Sequence, residues 1–296
     1  MTNKGKYYES QFEEATIKLL REAHWQYAFG DDIHRKYTDP LIEEDLRNFL
    51  AVQYKDKNLT TSEMDSIVAN LRNTGGQNDY YALRNTFLLY RDGYDFAYSD
   101  GRSNPFRLEY IDFEHPDHNI FRCVNQFVME QGRENRRPDI LLFINGIPVC
   151  IIELKNPTKQ NATIRDAHTQ ICTRYMRDIP ALLKYCALAV ISDGAKNALG
   201  ATYTPFEFFY EWKKIENEDK AGKGLDTLRT LIRGALSPER ILEILRDYVY
   251  FPDPTKEDDT TEIVCRYPQF FATRKLRDHI LNHLRSVGGD GKGGTY

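Results

Sequence analysis

Residues 137–157 read RPDILLFINGIPVCIIELKNP. Ile140 to Ile144 form one β-rich apolar run, Asn145-Gly146 is a strong two-residue turn signal, and Ile147 to Ile152 form a second run. The pattern predicts a buried β-hairpin. Asp139 opens its first strand, and Glu153 and Lys155 sit two apart at the end of the second, so the period of a strand points both to one face. Leu154 between them faces a core.

Two carboxylates gathered at the end of an apolar hairpin repel each other, and loss of water raises that cost unless a cation neutralises them. Oxygen ligands suit a hard cation such as Mg²⁺, which takes one or two carboxylates and keeps its other positions for water and phosphate. A lysine beside it can orient or deprotonate an attacking water, or stabilise charge developing on phosphate. The expected chemistry is phosphodiester hydrolysis. A bare D…ExK is a loose pattern, and Glu153 with Lys155 also reads as an ordinary same-face surface pair. The two apolar strands and the NG turn around it favour the site.

Pro138-Asp139 followed by Glu153-Leu154-Lys155 resembles the PD-(D/E)xK signature of restriction-endonuclease-like nucleases. The longer string, from Asn125-Gln126 through the hairpin to Gln170 and Ile191-Ser192-Asp193-Gly194, resembles the N-terminal nuclease domain of type I restriction enzyme R subunits (HsdR) over residues 7–215. That resemblance implies an α/β fold, a mixed β-sheet flanked by helices. It implies Mg²⁺ held by Asp139, Glu153 and the Leu154 carbonyl, with Lys155 acting on water and Gln170 assisting. In such proteins a glutamate of the first helix often approaches the metal; Glu13 is the candidate, ahead of Glu9. Gln170 resembles the glutamine of a Gln-xxx-Tyr element, but Tyr175 stands at i+5, which on an α-helix is rotated away from i.

Composition sets the outer bounds. The 296 residues are 41% hydrophobic and 28% charged, with a net charge of −4, as for a soluble globular chain large enough for one or two domains. There is no apolar run of membrane-spanning length and no signal-type start, so the cytoplasm is the default location. Five cysteines, without a CxxC, read as reduced core thiols. Residues 133–184 hold nine Lys/Arg against five Asp/Glu, a local basic excess suited to phosphate. Arg136, Arg137 and Lys159 are the expected phosphate contacts, with Tyr175 a further DNA-binding candidate.

In chain order, helices are expected over Tyr8–Trp25, Ile42–Leu50 and Thr61–Arg72, the last capped by Thr61 or Ser62. Strands are expected at Phe87–Tyr90, ended by Asp92-Gly93, and at Leu108–Phe113 and Asn119–Met129, before a basic loop at Arg133–Arg137. A helix is expected near Ile164–Arg177, a parallel-crossover strand at Ala187–Ser192, a last aromatic strand in Thr202–Trp212, and a boundary in Lys213–Gly224. Helices Leu225–Ala235 and Ser237–Arg246 come after it, the second with Ser237 as N-cap and Pro238 first, then an exposed acidic linker, Asp253–Glu262, and a helix over Phe270–Val287. The expected division is 1–215 nuclease, 216–262 connector and 263–296 the start of a helicase-like motor. Gln269 falls where the resembled family contacts adenine, but the chain holds no G-x-x-x-x-G-K-[ST] and reads as ending just before such a loop, so ATP is expected only with a longer motor. His279 and His283 read as a polar helix face, and His115, His118 and His168 as unpaired.

Two further readings stay open: a stand-alone structure-specific nuclease or junction resolvase, and a non-catalytic docking module linking a DNA translocase to a methyltransferase complex. The resemblance implies double-stranded DNA and the methyltransferase and specificity subunits as partners, with cleavage little dependent on sequence because phosphates and not bases are met.

Overall fold

The computed structural model describes residues 3–155, 163–216, 222–252 and 260–285. Helix α1 (Asn3–Glu22) leads to strand β1 (Gln26–Phe29), followed by α2 (Glu43–Gln53), α3 (Thr61–Asn73) and α4 (Asp79–Asp92). Strands β2 (Tyr94–Phe96) and β3 (Phe106–Leu108) pair as a small antiparallel ribbon, as do β5 (Met129–Gln131) and β6 (Glu134–Arg136) after β4 (Phe121–Asn125). The hairpin is β7 (Ile140–Ile144) and β8 (Ile147–Leu154). Then come α5 (Ile164–Thr169), a π-helical turn at Gln170–Tyr175, α6 (Met176–Asp178), α7 (Pro180–Leu183), β9 (Leu188–Ser192) and β10 (Asn197–Ala201). The chain continues through α8 (Leu225–Leu231), a second π turn at Ile232–Leu236, α9 (Pro238–Asp247), the short pair β11 (Val249–Tyr250) and β12 (Ile263–Val264), and α10 (Tyr267–Arg285).

The central sheet is mixed and six-stranded, in the order β1-β4-β7-β8-β9-β10. Strands β1 and β4 are parallel, as are β8 and β9; the other neighbours are antiparallel. Helices cover both faces, so the fold is α/β as expected. The turn behaves as its sequence demands: Asn145 and Gly146 both take positive φ, 50° and 77°, the combination a type I′ turn requires. Gly146 is fixed in another way too, because a Cβ there would lie 2.1 Å from the Ile42 carbonyl oxygen.

One irregularity in the hairpin decides the register. Near the turn Ile144 pairs with Ile147 and Phe143 with Pro148, but beyond it Leu142 pairs with Cys150 and Leu141 with Ile151. Val149 is the extra residue of a β-bulge beside Pro148, whose missing N–H is best tolerated at such a place. Continuing the outer register by one residue sets Asp139 opposite Glu153. Without the bulge Asp139 would face Ile152, and the carboxylates would lie on opposite faces.

The sheet separates two apolar clusters. The larger joins Ile140, Leu142, Cys150, Ile152 and Leu154 to α1 to α4, α8 and α9, through Leu20, Phe49, Ile67, Phe87, Leu231 and Ile244 among others. The smaller sets Leu141, Phe143, Ile151 and Ile191 against α5 to α7, through Ala167, Ile171, Tyr175, Ile179 and Leu182. Leu154 thus enters the larger core, and Glu153 and Asp139 fall on the helix-covered side of the smaller one.

Several expectations are corrected. Residues 87–90 are helical, not a strand: Tyr80, Leu83, Phe87 and Tyr90, all at most 1% exposed, recur at the spacing of a buried helix face, and the Asn78 side chain caps α4 by accepting from Tyr81 N. Gly93 is the left-handed stop of that helix, not a hairpin turn. The N-cap of α3 is Thr60, in a capping box with Glu63. The expected strand 108–113 is mostly irregular, and 119–129 breaks after Asn125, where Gln126 takes φ 54°. Arg133–Arg137 is partly strand, β6. In Thr202–Trp212 a 3-10 turn and a single bridge, Leu199 to Tyr210, stand where a strand was expected. Ser237 does precede α9, but its hydroxyl donates back to Arg233 O and does not cap. Glu262, expected in an exposed linker, is 1% exposed; residues 253–259 lie outside the described residues. All five cysteines are free thiols. No helix among the described residues is long and apolar enough to cross a membrane.

Candidate active site

Each member of the expected motif comes to one place by strand geometry. Asp139 stands just before β7, its backbone carbonyl accepting from Gln126 N at 3.1 Å and its Oδ2 from Leu154 N at 2.7 Å. Glu153 is 1% exposed at the end of β8. Lys155 comes next, its backbone N–H bonded to Ser192 O of β9 at 2.7 Å, so the parallel neighbour extends the strand far enough to aim the ammonium back.

Four side chains then close a ring. Lys155 Nζ donates to Glu153 Oε1 at 2.8 Å and to Gln170 Oε1 at 2.6 Å. Gln170 Nε2 donates to the Tyr175 hydroxyl at 2.7 Å, which in turn donates to Glu153 Oε2 at 3.3 Å. The objection that i+5 is rotated away from i holds for an α-helix and fails here, because Gln170–Tyr175 is π-helical. Its wider turn brings i and i+5 onto one face, and such turns recur at functional sites. Tyr175 is therefore the partner of Gln170, which corrects the reading from spacing alone.

The electrostatics are those of an acid pair in want of a cation. Burial, and next the Glu153 charge, push the Asp139 carboxyl well above the usual carboxylate range. Burial likewise raises Glu153 despite the Lys155 ammonium and the hydrogen bonds it accepts. The single lysine offsets one negative charge of two, so the pair is short of one positive charge, which a second cation would supply. Hard oxygen donors with one positive charge too few fit a divalent ion such as Mg²⁺.

Glu13 of α1 reaches the neighbourhood by another route. Its Oε1 accepts from Asn125 Nδ2 at 2.6 Å and its Oε2 from Gln126 Nε2 at 2.9 Å, and Tyr27 OH donates to Asn125 Oδ1 at 3.0 Å. Its charge adds to the rise of Asp139. Asn125, Gln126 and Tyr27 received no role from the sequence, although Asn125-Gln126 opens the string that carries the resemblance. The signal was the polar pair ending an apolar strand. Among the basic candidates, Arg136 is bound to Asp178 and Glu134, its Nε 2.8 Å from Asp178 Oδ2, and Arg137 is exposed. Lys159 lies outside the described residues. Gln269 is exposed and distant in sequence; its Oε1 accepts from Arg266 N at 2.8 Å, tying the first turn of α10.

With this geometry in place, comparison with known proteins is informative. Residues 6–208 match the family model described as type I restriction enzyme R protein N terminus. The chain belongs to that family. Similar relatives include the type I restriction enzyme HindI endonuclease subunit of Haemophilus influenzae, 29% identical over 92% of this chain and 27% of that protein. A putative MjaIXP endonuclease subunit from Methanocaldococcus jannaschii is 27% identical over 92% of this chain and 28% of its own length. The EcoprrI endonuclease subunit of Escherichia coli is 28% identical over 65% of this chain and 59% of its length. The chain thus spans under a third of the first two relatives. In this R protein N-terminus family member the matched segment contains the whole ring, Glu153 to Tyr175, together with Asp139 and Glu13.

Proposed function

We propose that the chain is the DNA-cleaving segment of a type I restriction R subunit, a metal-dependent endonuclease of the PD-(D/E)xK class. The observation that carries this reading is the closed ring of Lys155, Glu153, Tyr175 and Gln170 beside the cross-strand Asp139. In a surface charge pair the carboxylate would not be 1% exposed, as Glu153 is, nor would the pair be held by two further side chains, Gln170 and Tyr175.

Asp139, Glu153 and the Leu154 carbonyl would hold Mg²⁺, with Glu13 the next carboxylate out. Mg²⁺ would neutralise the carboxylates and polarise the scissile phosphate. Glu153 fixes the Lys155 ammonium, Gln170 fixes its second direction, and Tyr175 fixes Glu153 and Gln170 together. Lys155 is thereby aimed to orient the attacking water or to meet charge developing on a phosphate oxygen. Arg136, Arg137 and Lys159 would contact the duplex backbone without reading bases, and Tyr175 would act from beneath it. Double-stranded DNA is the proposed substrate, with methyltransferase and specificity subunits choosing the sequence. ATP and Gln269 belong to the proposed motor, which residues 263–296 would begin; 1–215 and 216–262 are the proposed nuclease and connector.

The test is Mg²⁺ or Mn²⁺ calorimetry and plasmid nicking on wild type, Glu153→Gln and Lys155→Ala. Metal uptake lost in Glu153→Gln and retained in Lys155→Ala, with cleavage lost in both, supports the reading. Metal uptake indifferent to Glu153 overturns it, and leaves the docking module in its place.

A further inference from the structure

We propose that Asp112, His115 and His118 form a second cation site, of the zinc class, at the opposite end of the sheet from the carboxylate pair. Sequence reasoning left both histidines unpaired, and the structure corrects that. Among the described residues these three donors lie within 4.8 Å of one another. His118 Nδ1 is 2.9 Å and His115 Nδ1 3.3 Å from the same oxygen, Asp112 Oδ2. In a tetrahedral site with bonds near 2.0–2.1 Å, neighbouring donors stand about 3.3 Å apart, and Asp112 Oδ2 already stands near that spacing from a nitrogen of each histidine.

The carboxylate is set for this. Asp112 is 4% exposed, and its other oxygen, Oδ1, accepts from Glu114 N and His115 N at 3.0 and 2.9 Å, which fixes the plane of the group. Oδ2 also accepts from Gln53 Nε2 at 3.1 Å, the outer-shell contact a ligating carboxylate usually has. The turn itself needs only Oδ1. The histidines are exposed, yet their rings stack at 4.8 Å and 23° and turn the same nitrogen to one oxygen, an ordering that costs side-chain entropy. Two imidazoles and one carboxylate select a borderline ion such as Zn²⁺, not Mg²⁺. A fourth position is left for water.

The place is separate from the hairpin carboxylates. Asn119 binds this loop, its Nδ2 donating to Asp112 O at 2.7 Å, and its Oδ1 accepts from Asn145 Nδ2 of the turn at 2.8 Å. Phe121 pairs with Ile144 at this end, while Asn125 pairs with Ile140 at the other, about 13 Å away at the usual rise per residue. A cation here would clip residues 112–118 to the end of α2 and to the entry of β4.

Zn²⁺ titration of the full chain by calorimetry tests this. Wild type should take up one equivalent that Glu153→Gln and the pair His279→Ala/His283→Ala keep, and that His115→Ala/His118→Ala loses. The latter side chains are exposed, so the variant keeps its fold, which circular dichroism verifies. Co²⁺ in place of Zn²⁺ should give visible ligand-field bands in wild type that are absent from His115→Ala/His118→Ala. Absence of uptake by wild type overturns the proposal, as does uptake that survives loss of His115 and His118, or that disappears with Glu153 or with His279 and His283.

Discussion

Tyr175 carries one hydroxyl that serves two partners, so Tyr175→Phe is the cleanest probe of the ring. It removes the contacts to Gln170 and Glu153 and leaves the ring of carbon atoms in the smaller core. We expect a cleavage rate lower by about tenfold or more and a melting temperature lower by a few degrees, since two hydrogen bonds worth about 1 kcal/mol each are lost; unchanged cleavage would remove Tyr175 from the mechanism. Glu262 gives a second test, independent of DNA. Its Oε2 accepts from Tyr203 N at 2.9 Å while its Oε1 has no hydrogen-bond partner among the described residues, and burial holds its carboxyl well above the ordinary value of 4.5. A raised carboxyl binds its proton more tightly folded than unfolded, so this group's contribution to stability is full below pH 4.5 and declines as pH rises toward the folded value. Unfolding by urea between pH 4.5 and 8 should show that loss, up to about 1.4 kcal/mol per pH unit, and Glu262→Gln should flatten it. At this scale the motif residues Asp139, Glu153 and Lys155 were legible, because strand period and an NG turn place them without tertiary knowledge. Asn125, Gln126, Tyr27 and the partners of Asp112 were not, since their meetings depend on long-range pairing that no local spacing encodes.

Among the elements, the π turn and the bulge both insert one residue where a regular count would fail. The helix over 164–178 was foreseeable from periodicity, but its π turn was not, because an α-helical spacing presumes 3.6 residues per turn. Deleting the exposed Thr173 should convert the run to an α-helix in which glutamine and tyrosine stand at i+4. We expect the Gln–Tyr pair and some cleavage to persist, with stability lowered because residues on one side of the deletion leave their places in the smaller core. A variant that folds fully but has lost cleavage would show that the π turn does more than align the pair. Gly146→Ala is the matching test in the hairpin: positive φ and the Ile42 carbonyl at 2.1 Å from the added Cβ predict a loss above about 1 kcal/mol in urea unfolding. The misread segment 87–90 shows the converse. Aromatic residues favour strands by propensity, and burial on a helix face outweighed it.

At the scale of the molecule, the mixed order of the sheet was legible only in part: the hairpin and the parallel crossover were, whereas the β1 to β4 pairing joins residues about a hundred positions apart. Helices α8 and α9 close the larger core, with Leu228, Leu231, Ile241, Ile244 and Leu245 at most 1% exposed. Removing everything after Ile215 would strip one wall of that core, at about 1.5–3 kcal/mol for each large side chain against a total stability of about 5–15. A chain ending there should fail to give a cooperative melting transition, and a sharp one would show that 1–215 folds alone. The proposed division at 215 is thus one of task and not of packing. The Trp25 indole N–H donates to Leu236 O at 2.7 Å, across 211 residues. During synthesis the segment just after the first helix therefore waits for the connector to leave the ribosome before its surroundings are complete. A nascent chain holding every residue of the carboxylate ring would still be unfinished, which keeps the proposed DNA-cutting surface from maturing ahead of the helices that wall its core.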